Sequence, residues 1–420
     1  MRSTELPVPD GLLLRPLRGV RYAVDDLAAA TSPPYDLISP DDLRNLLGLH
    51  PNNVVRLILP GFDRHRYGEA RDTLHAWLAG GVLTVDELPA LYVYEQSGPG
   101  YLQRGIIGNV GLTDPARRII LPHEETVPAV VADRLGLMRT TEANLEPIFL
   151  LYQGGGTATR LIGEVAETRM PLVDIRTADG AGHRLWAVTD PHEIEAVAAD
   201  LHDRQALIAD GHHRYETYRL LQRERHEAGS GNGPWDFGLA LLVDSTAHPP
   251  QVKAIHRVIP GLAPQDAVAR AKGACRVQEY TDLDDALAAL AAAPGPAFVL
   301  AGEGRVHLLT DPDPLQVEHA MPAGRSRLWK SLDAAVLSEF LLPRVWGMPD
   351  DDRSVRIVHH DHARAVRQAR EASGTAVLLR PLPAGDVLTV AAQGELVPRK
   401  STSFGPKPRT GLVLRTFFTD

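Results

Sequence analysis

The amino-acid sequence predicts a mixed α/β protein, with a mixed sheet in its N-terminal and central regions and a smaller α+β unit after them. Short apolar runs of strand length alternate with polar segments that suit helices. A strand, a charged turn and a helix follow one another twice, around residues 122 and 210. From residue 264 onward the composition shifts toward alanine-rich helices and paired strands, which indicates the smaller unit.

The length of 420 residues exceeds what one ordinary hydrophobic core supports, so we expect two or three packed domains. Region 1–153 contains S-P-P-Y-D and P-H-E-E-T. Region 154–262 opens on three consecutive glycines and contains A-D-G-H-H-R-Y. Region 263–420 contains the loop K-S-T-S-F-G-P-K. These three regions are the predicted domains.

The bulk composition excludes several classes of protein. A formal net charge of −9 argues against a general binder of nucleic acid or anionic membranes, since such proteins carry a basic surplus. Cys275 is the one cysteine, so an intramolecular disulfide and a cysteine-rich zinc site are excluded. The N-terminus lacks an apolar signal segment, and no window is apolar enough to span a bilayer. We therefore expect a cytoplasmic protein without nucleic-acid or membrane partners.

Two N-terminal segments present polar groups on backbone that proline restricts. In R-P-L-R-G-V-R the arginines Arg15, Arg18 and Arg21 recur every three residues, but a proline and a glycine prevent a helix, so they lie on an extended segment or loop. In S-P-P-Y-D the two prolines make a rigid loop that carries Ser32, Tyr35 and Asp36. That loop serves either as a substrate-binding element or as a plain connector.

Two predicted strands of the N-terminal region have unusual residues. Residues 53–60 form an apolar, β-rich run that contains Arg56, and a cation in a strand needs a partner, so Arg56 is a candidate substrate-binding residue. Residues 101–110 form a strand with Gly105 and Gly108, which indicate bulges or a close backbone approach.

The first charged turn follows a predicted strand at 117–121 and has the sequence P-H-E-E-T. It carries His123, Glu124 and Thr126 at a strand end. Because ligands collect at the carboxyl ends of strands in α/β folds, these three side chains are candidate ligand-binding groups.

The second charged turn follows the apolar run 206–209 and has the sequence D-G-H-H-R. Asp210 is a good N-cap residue and Gly211 permits a tight turn, which leaves the amides of residues 211–213 at the start of a helix. Such a helix start attracts anions. With His212, His213 and Arg214 in the same turn, the sequence predicts a phosphate site there.

Two later segments add candidate groups. His256 and Arg257 occur in a predicted strand at 252–258, where they either face a cleft or alternate into solvent. The loop 397–407 is held by Pro398 and Pro406 and carries Lys400, Ser401, Thr402 and Lys407, which suit phosphate oxygens. It is not a Walker A loop, and the chain has no G-x-G-x-x-G sequence for a dinucleotide.

Five motifs in this order resemble the family known as domain of unknown function 1015: R-P-L-R-G, S-P-P-Y-D, P-H-E-E-T, A-D-G-H-H-R-Y and P-R-K-S-T-S-F-G-P-K. The D-G-H-H-R turn alone is similar to that of free-serine kinases of the ParB/sulfiredoxin-like superfamily. This second resemblance implies a ParB/sulfiredoxin-like nucleotide-binding element in which the turn holds phosphates. It also implies that Asp210 and His213 are catalytic.

The leading functional hypothesis is a small-molecule kinase that uses ATP or ADP and Mg²⁺. Phosphoryl transfer needs cations and amides around the phosphates, a metal ion and a base near the acceptor hydroxyl. Asp210 or Glu124 would hold the Mg²⁺, and Asp210, Glu124 or His213 would act as the base. Free L-serine as the acceptor is implied by the resemblance to serine kinases.

Two alternatives remain open from the sequence. A metal-dependent hydrolase would use His123, Glu124, Asp210 and the two adjacent histidines as ligands. A non-catalytic nucleotide-binding switch of the ParB-like kind would bind nucleotide to control association. The expected partners are a nucleotide and a small-molecule substrate, and a homodimer is also considered.

Overall fold

The computed structural model describes residues 9–61, 64–351 and 353–419. Its helices, apart from single 3-10 turns and a π-helix at Val336–Val345, are α1 Leu27–Ala30, α2 Pro40–Leu49, α3 Val55–Ile58, α4 Arg64–Ala79, α5 Pro128–Thr141, α6 Thr157–Thr168, α7 Pro191–His202, α8 His212–Glu227, α9 Pro264–Ala271, α10 Leu283–Ala292, α11 Pro314–Ala320, α12 Arg327–Lys330, α13 Asp333–Ala335, α14 His362–Glu371 and α15 Ala384–Ala392. Its strands are β1 Leu14–Arg15, β2 Val20–Tyr22, β3 Leu83–Val85, β4 Leu91–Gly98, β5 Tyr101–Gly111, β6 Ile120–Leu121, β7 Ala143–Asn144, β8 Ile148–Tyr152, β9 Val173–Arg176, β10 Gly182–Val188, β11 Ala206–Asp210, β12 Phe237–Asp244, β13 Gln251–Val252, β14 Ile255–Ile259, β15 Arg276–Tyr280, β16 Phe298–Ala301, β17 Val306–Thr310, β18 Arg356–His359, β19 Thr375–Leu378, β20 Phe404–Gly405 and β21 Arg415–Thr416.

The first of two compact units comprises residues 1–250 and 406–420. In its described part, nine strands form one sheet with the order β6-β11-β8-β12-β5-β4-β10-β9, and β1 pairs with β5. The pairs β6–β11 and β8–β12 are parallel, and the other pairs of this sheet are antiparallel. The sheet is therefore mixed, as predicted.

The second unit comprises residues 251–405. Its six-stranded sheet has the order β15-β17-β16-β19-β14-β18, and every neighbouring pair is antiparallel. Helices α10 and α14 pack apolar residues such as Leu290 and Val366 into its core. The predicted mixed α/β fold class, with an α+β unit late in the chain, is confirmed.

The core of the first unit lies where the helices cover its nine-stranded sheet. Strand residues such as Ile106, Leu150 and Leu242 share one buried cluster with Val165 of α6 and Leu221 of α8. Strand β8 lies before the predicted region boundary at 153/154, and strands β11 and β12 lie after it. All three belong to this one sheet. The division into three regions stays a prediction.

The prediction of a strand at 53–60 is wrong, because the backbone forms the one-turn helix α3 there. Asn53 is buried and directs the turn: its Oδ1 accepts from the amide of Val55 at 3.0 Å, and its Nδ2 donates to the carbonyl of Ala29 at 2.7 Å. Arg56 is consequently exposed and donates to the carbonyl of Leu47 at 3.3 Å. Arg56 was proposed as a substrate-binding residue because a cation in a strand needs a partner, and that argument does not apply to an exposed side chain on a helix.

The close backbone approach predicted for Gly105 and Gly108 is present, and no bulge is involved. Strand β5 keeps a continuous register with β12 through both glycines. A Cβ atom on Gly105 would lie 2.5 Å from the carbonyl oxygen of Leu242, and one on Gly108 would lie 2.8 Å from a methyl carbon of Leu14. A side chain at Gly105 would therefore overlap backbone, whereas one at Gly108 would first displace the side chains of Leu14 and Leu91.

Within the described residues, no helix has the length and apolar character needed to cross a membrane.

We expect Gly105→Ala to lower the free energy of unfolding by about 1–3 kcal/mol, because the new methyl group overlaps backbone that cannot move without breaking sheet pairing. Urea denaturation followed by circular dichroism measures this change. Gly48→Ala is the matched control: Gly48 lies in helix α2 with no heavy atom within 4 Å of the added Cβ. That substitution should be neutral or stabilise by up to about 1 kcal/mol. Equal effects at both positions would contradict the steric explanation.

Candidate functional site

The D-G-H-H-R turn forms at the end of strand β11, which the sequence predicted, but its start is built differently. Asp210 is the last residue of the strand, and the N-cap of α8 is Gly211, with φ of 92°. No side chain caps this helix start. The prediction that Asp210 is the N-cap is therefore wrong, and the reason is that its carboxylate bonds to two cations instead.

A charged cluster of Asp36, Asp210, Arg214 and Lys407 surrounds the turn. Lys407 Nζ lies 2.5 Å from Oδ1 of Asp210 and also bonds to Oδ2 of Asp36. Arg214 donates from Nη2 to Oδ2 of Asp210 at 2.5 Å. Two acidic and two basic side chains thus meet in one cluster. They come from three motifs: S-P-P-Y-D, D-G-H-H-R and the end of the C-terminal loop.

Burial and charge act against each other in this cluster. Burial pushes the pKa of Asp210 upward, but the positive charges of Lys407 and Arg214 outweigh it and hold the pKa below its ordinary value. For Lys407, burial favours loss of the proton, yet Asp210 and Asp36 raise its pKa. Both groups are therefore charged at neutral pH. Asp36 is the most accessible member, with 36% of its side chain exposed against 11% for Asp210.

A buried glutamate, Glu146, lies behind the charged cluster and was not predicted. Its Oε1 accepts from the amide of Tyr35 at 3.0 Å and from the hydroxyl of Thr410 at 3.1 Å. It also lies 4.0 Å from Arg214. Burial raises the pKa of Glu146, although Arg214 and Arg134 pull it down. Glu146 therefore ties the S-P-P-Y-D loop to the C-terminal segment beneath the cluster.

Two arginine side chains, those of Arg134 and Arg214, pack against the ring of Tyr35. The guanidinium carbon of Arg134 lies 4.7 Å from the centroid of the Tyr35 ring, and that of Arg214 lies 5.9 Å from it. Arg214 also donates to the carbonyl of Pro147 at 2.9 Å. The signal that would have found Glu146 is the one applied to Arg56, a charged residue in an apolar run, here L-E-P-I-F-L-L-Y.

The P-H-E-E-T segment lies against the same turn because β6 runs parallel to β11, with Leu121 opposite Leu207. The amide of His123 donates to Nε2 of His212 at 3.2 Å, and the two rings meet edge to face with centroids 4.5 Å apart. The amide of Val127 donates to Nε2 of His213 at 3.0 Å. Both imidazoles of the turn thus accept backbone hydrogen bonds and hold the P-H-E-E-T loop in place.

The other predicted residues of this loop are less enclosed. Glu124 and Thr126 are half-buried within the held segment, whereas His123 is buried. Burial lowers the pKa of His123, so its ring is neutral at physiological pH. Of the two acids of the loop, Glu124 is half-buried and Glu125 is exposed.

Ser32, a predicted substrate-binding residue, is hydrogen-bonded within the protein. Its backbone exchanges hydrogen bonds with Thr410, at 3.1 Å and 2.9 Å, and its hydroxyl donates to the carbonyl of Pro33 at 2.8 Å. The side chain is fully buried. Ser32 therefore fastens the S-P-P-Y-D loop to the C-terminal segment, and Asp36 is the exposed side chain of that loop.

Five predicted site residues belong to the second unit. His256 and Arg257 are both buried in β14, where His256 Nδ1 accepts from the amide of Leu379 at 3.3 Å and Arg257 donates to the carbonyl of Arg399 at 3.0 Å. Ser401 and Thr402 are buried as well, and Lys400 is exposed with φ of 51°. Participation of these residues in ligand binding stays a prediction.

Across the described ranges, no three or more histidine, cysteine, aspartate or glutamate side chains are arranged to hold a metal ion. Both oxygens of Asp210 already bind cations, so this carboxylate does not fit a resident Mg²⁺ in the present arrangement.

The fold is a mixed α/β one, with a buried cluster of charged side chains at a strand-to-helix turn. The chain belongs to the family described as "Protein of unknown function (DUF1015)", whose model matches residues 14–335. No curated protein matches the chain.

Several solved structures resemble the chain weakly. They include a C-terminally truncated SbnI from Staphylococcus aureus, at 11% identity and a TM-score of 0.36, over 74% of this chain and 87% of that one. A free serine kinase in complex with AMP gives 15% identity and a TM-score of 0.37, over 74% and 91%. A conserved hypothetical protein from Pyrococcus furiosus gives 15% and 0.34, over 73% and 95%. At this level the likeness does not extend to function.

We expect Lys407→Met to lower the free energy of unfolding at pH 7 by about 3 kcal/mol, because it leaves two carboxylates short of a buried cation. The pKa of Asp210 should then rise. The depressed pKa of Asp210 in the wild type stabilises the fold above the pKa of the unfolded chain, about 3.9, and this contribution disappears in more acid solution. The difference between variant and wild type should therefore shrink between pH 5 and pH 3.

Urea denaturation at several pH values measures this effect, and Lys330→Met is its control. Lys330 pairs at 2.7 Å with Glu318, which is 67% exposed, so its loss should cost no more than about 0.5 kcal/mol. A destabilisation by Lys407→Met that is small, or that does not change with pH, would mean that the charged cluster does not stabilise the fold.

Proposed function

We propose that this protein is a small-molecule kinase that transfers a phosphoryl group from ATP or ADP to the hydroxyl group of an amino acid. The observation that carries the proposal is the charged cluster, in which Asp36, Lys407 and Asp210 from three motifs meet at the uncapped start of α8. Free L-serine is the leading acceptor, on the resemblance of the D-G-H-H-R turn to that of free-serine kinases.

The phosphate end of the nucleotide is assigned to the first turn of α8. The first amides of a helix have no intrahelical acceptor, and the helix dipole favours an anion there. Lys407 and Arg214 supply two positive charges beside this turn. Phosphoryl transfer depends on such groups around the equatorial oxygens, since the protein does little covalent chemistry.

A phosphate can bind by replacing one of the two carboxylates that pair with Lys407. Asp36 is the accessible partner of Lys407, and Asp210 is the buried one. A phosphate oxygen would replace Asp36 on Lys407, while Asp210 keeps the lysine in position. Asp36 is thereby released toward the acceptor, which agrees with its predicted role in substrate binding.

Glu124 is the proposed base for the acceptor hydroxyl. In the transfer, the hydroxyl oxygen forms a bond to the terminal phosphorus, the bond to the leaving diphosphate or monophosphate breaks, and the proton passes to the carboxylate. His213 positions the loop that carries Glu124, through the bond from the amide of Val127. Mg²⁺, when bound to the nucleotide phosphates, would neutralise part of their charge.

We expect Asp210→Asn to reduce phosphoryl transfer at least about 100-fold, because Lys407 and Arg214 lose the charge that holds them at the phosphates. The measurement uses labelled ATP and, separately, labelled ADP with L-serine and a pool of hydroxyl metabolites, and detects the phosphorylated product. Folding of the variant is checked by circular dichroism and by its urea midpoint.

Asp174→Asn is the matched control. Asp174 is 57% exposed in β9 and pairs with the exposed Arg184 at 3.2 Å, so the control should keep full activity. Wild-type transfer by Asp210→Asn would remove the turn from the mechanism. Tight nucleotide binding by the wild type without any phosphorylated product would favour the nucleotide-binding switch.

A further inference from the structure

The R-P-L-R-G motif takes no part in the proposed kinase site and instead lines a separate cleft. This cleft of about 660 Å³ lies in the first unit, between residues 13–18, strand β5 and the loop 232–237. None of its lining residues belongs to the charged cluster. Its volume falls within the range of ligand-binding pockets, about 300–1,000 Å³.

Two arginines at the cleft are exposed but held in position. The guanidinium carbon of Arg15 lies 4.6 Å from the centroid of the Phe237 ring, and strand pairing places Arg15 opposite Asn109. Arg18 donates from Nε to the carbonyl of Asp86 at 3.0 Å, which fixes the side chain through its inner nitrogen. Arg21, the third arginine of the segment, is bound in a bidentate pair by the carboxylate of Asp86, at 2.6–3.0 Å.

The remaining lining is mainly apolar and rigid. The apolar lining residues are Leu13, Leu17, Phe237 and four prolines, Pro9, Pro16, Pro89 and Pro234. Among the described residues that line the cleft, Asp236 alone has a carboxylate, and it accepts hydrogen bonds from Gln222 at 2.9 Å, His226 at 2.7 Å and the amide of Gly233 at 2.8 Å. The cleft therefore combines two fixed positive charges with a flat apolar wall.

We infer that this cleft binds an organic anion with a planar apolar body. The anionic head, a carboxylate, phosphate or sulfonate, pairs with Arg15 and Arg18, because guanidinium groups suit planar, multidentate oxyanions. The apolar body packs against Phe237 and the prolines. The inference does not depend on the kinase proposal, since the two sites share no residue.

The first test is a fluorescence titration of the full-length protein with 8-anilinonaphthalene-1-sulfonate, an anion with a planar apolar body. Wild type should bind one equivalent saturably, and uncharged 1-anilinonaphthalene should bind at least tenfold more weakly. The double substitution Arg15→Gln with Arg18→Gln should weaken binding of the sulfonate at least tenfold and leave binding of the neutral compound unchanged.

The matched control is Arg44→Gln with Arg71→Gln, which removes two exposed arginines of α2 and α4 and should leave sulfonate binding within twofold of wild type. Equal urea midpoints of all three proteins exclude unfolding as the cause. The inference is overturned if the cleft variant binds the sulfonate like wild type, if the control variant weakens it equally, or if the wild type binds many equivalents without saturation.

The second test locates the ligand. Phenylglyoxal modifies accessible arginines, and peptide mass spectrometry gives the extent of modification at each position. Saturating sulfonate should protect Arg15 and Arg18 at least fivefold and leave Arg44 and Arg71 unprotected. Protection confined to other arginines would place the anion elsewhere and overturn the assignment.

Discussion

The ionisation of Asp210 inside the first unit is the constraint on which the site depends. A buried carboxylate without partners would cost several kcal/mol, and a nearby cation offsets that cost only with good geometry. Asp210 has two such cations, Arg214 from the helix that follows its strand and Lys407 from a distant part of the chain. The local strand-to-helix turn is therefore complete only when the C-terminal segment is in place.

The C-terminal segment is secured to the first unit by more than this one lysine. After the second unit the chain returns at residue 406, and bridges join Ser32 to Thr410 and Val20 to Leu414. Arg415 is fully buried and donates to the side chain of Asn144 at 2.8 Å. These contacts fix the position of the backbone near Lys407. The geometry of the cluster therefore follows from backbone pairing and does not depend on the flexible lysine side chain alone.

The sequence predicted local features of the site well and long-range ones poorly. The strand, the turn and the helix around Asp210 follow from an apolar run and a glycine, and the meeting of P-H-E-E-T with D-G-H-H-R follows from parallel strands. The bond between Lys407 and Asp36 joins residues 371 positions apart, and no periodicity contains that information. Residues 53–60 were misassigned because a buried asparagine, Asn53, stabilised a helical turn against the β-propensity of the run.

The charges of the cluster balance one another, which allows two buried cations to be kept without a net positive charge at the turn. The chain carries a formal charge of −9, yet two acids and two bases compensate one another at this turn. In the proposed kinase, a ligand phosphate would therefore not meet the large net positive field that nucleic-acid binders present. It would exchange with a carboxylate, and Asp36 is the partner of Lys407 that solvent reaches. In the proposed kinase, selectivity for a phosphate over chloride would then come from the helix amides that receive its remaining oxygens, because a single-atom anion could replace Asp36 but has no further acceptor atoms for those donors.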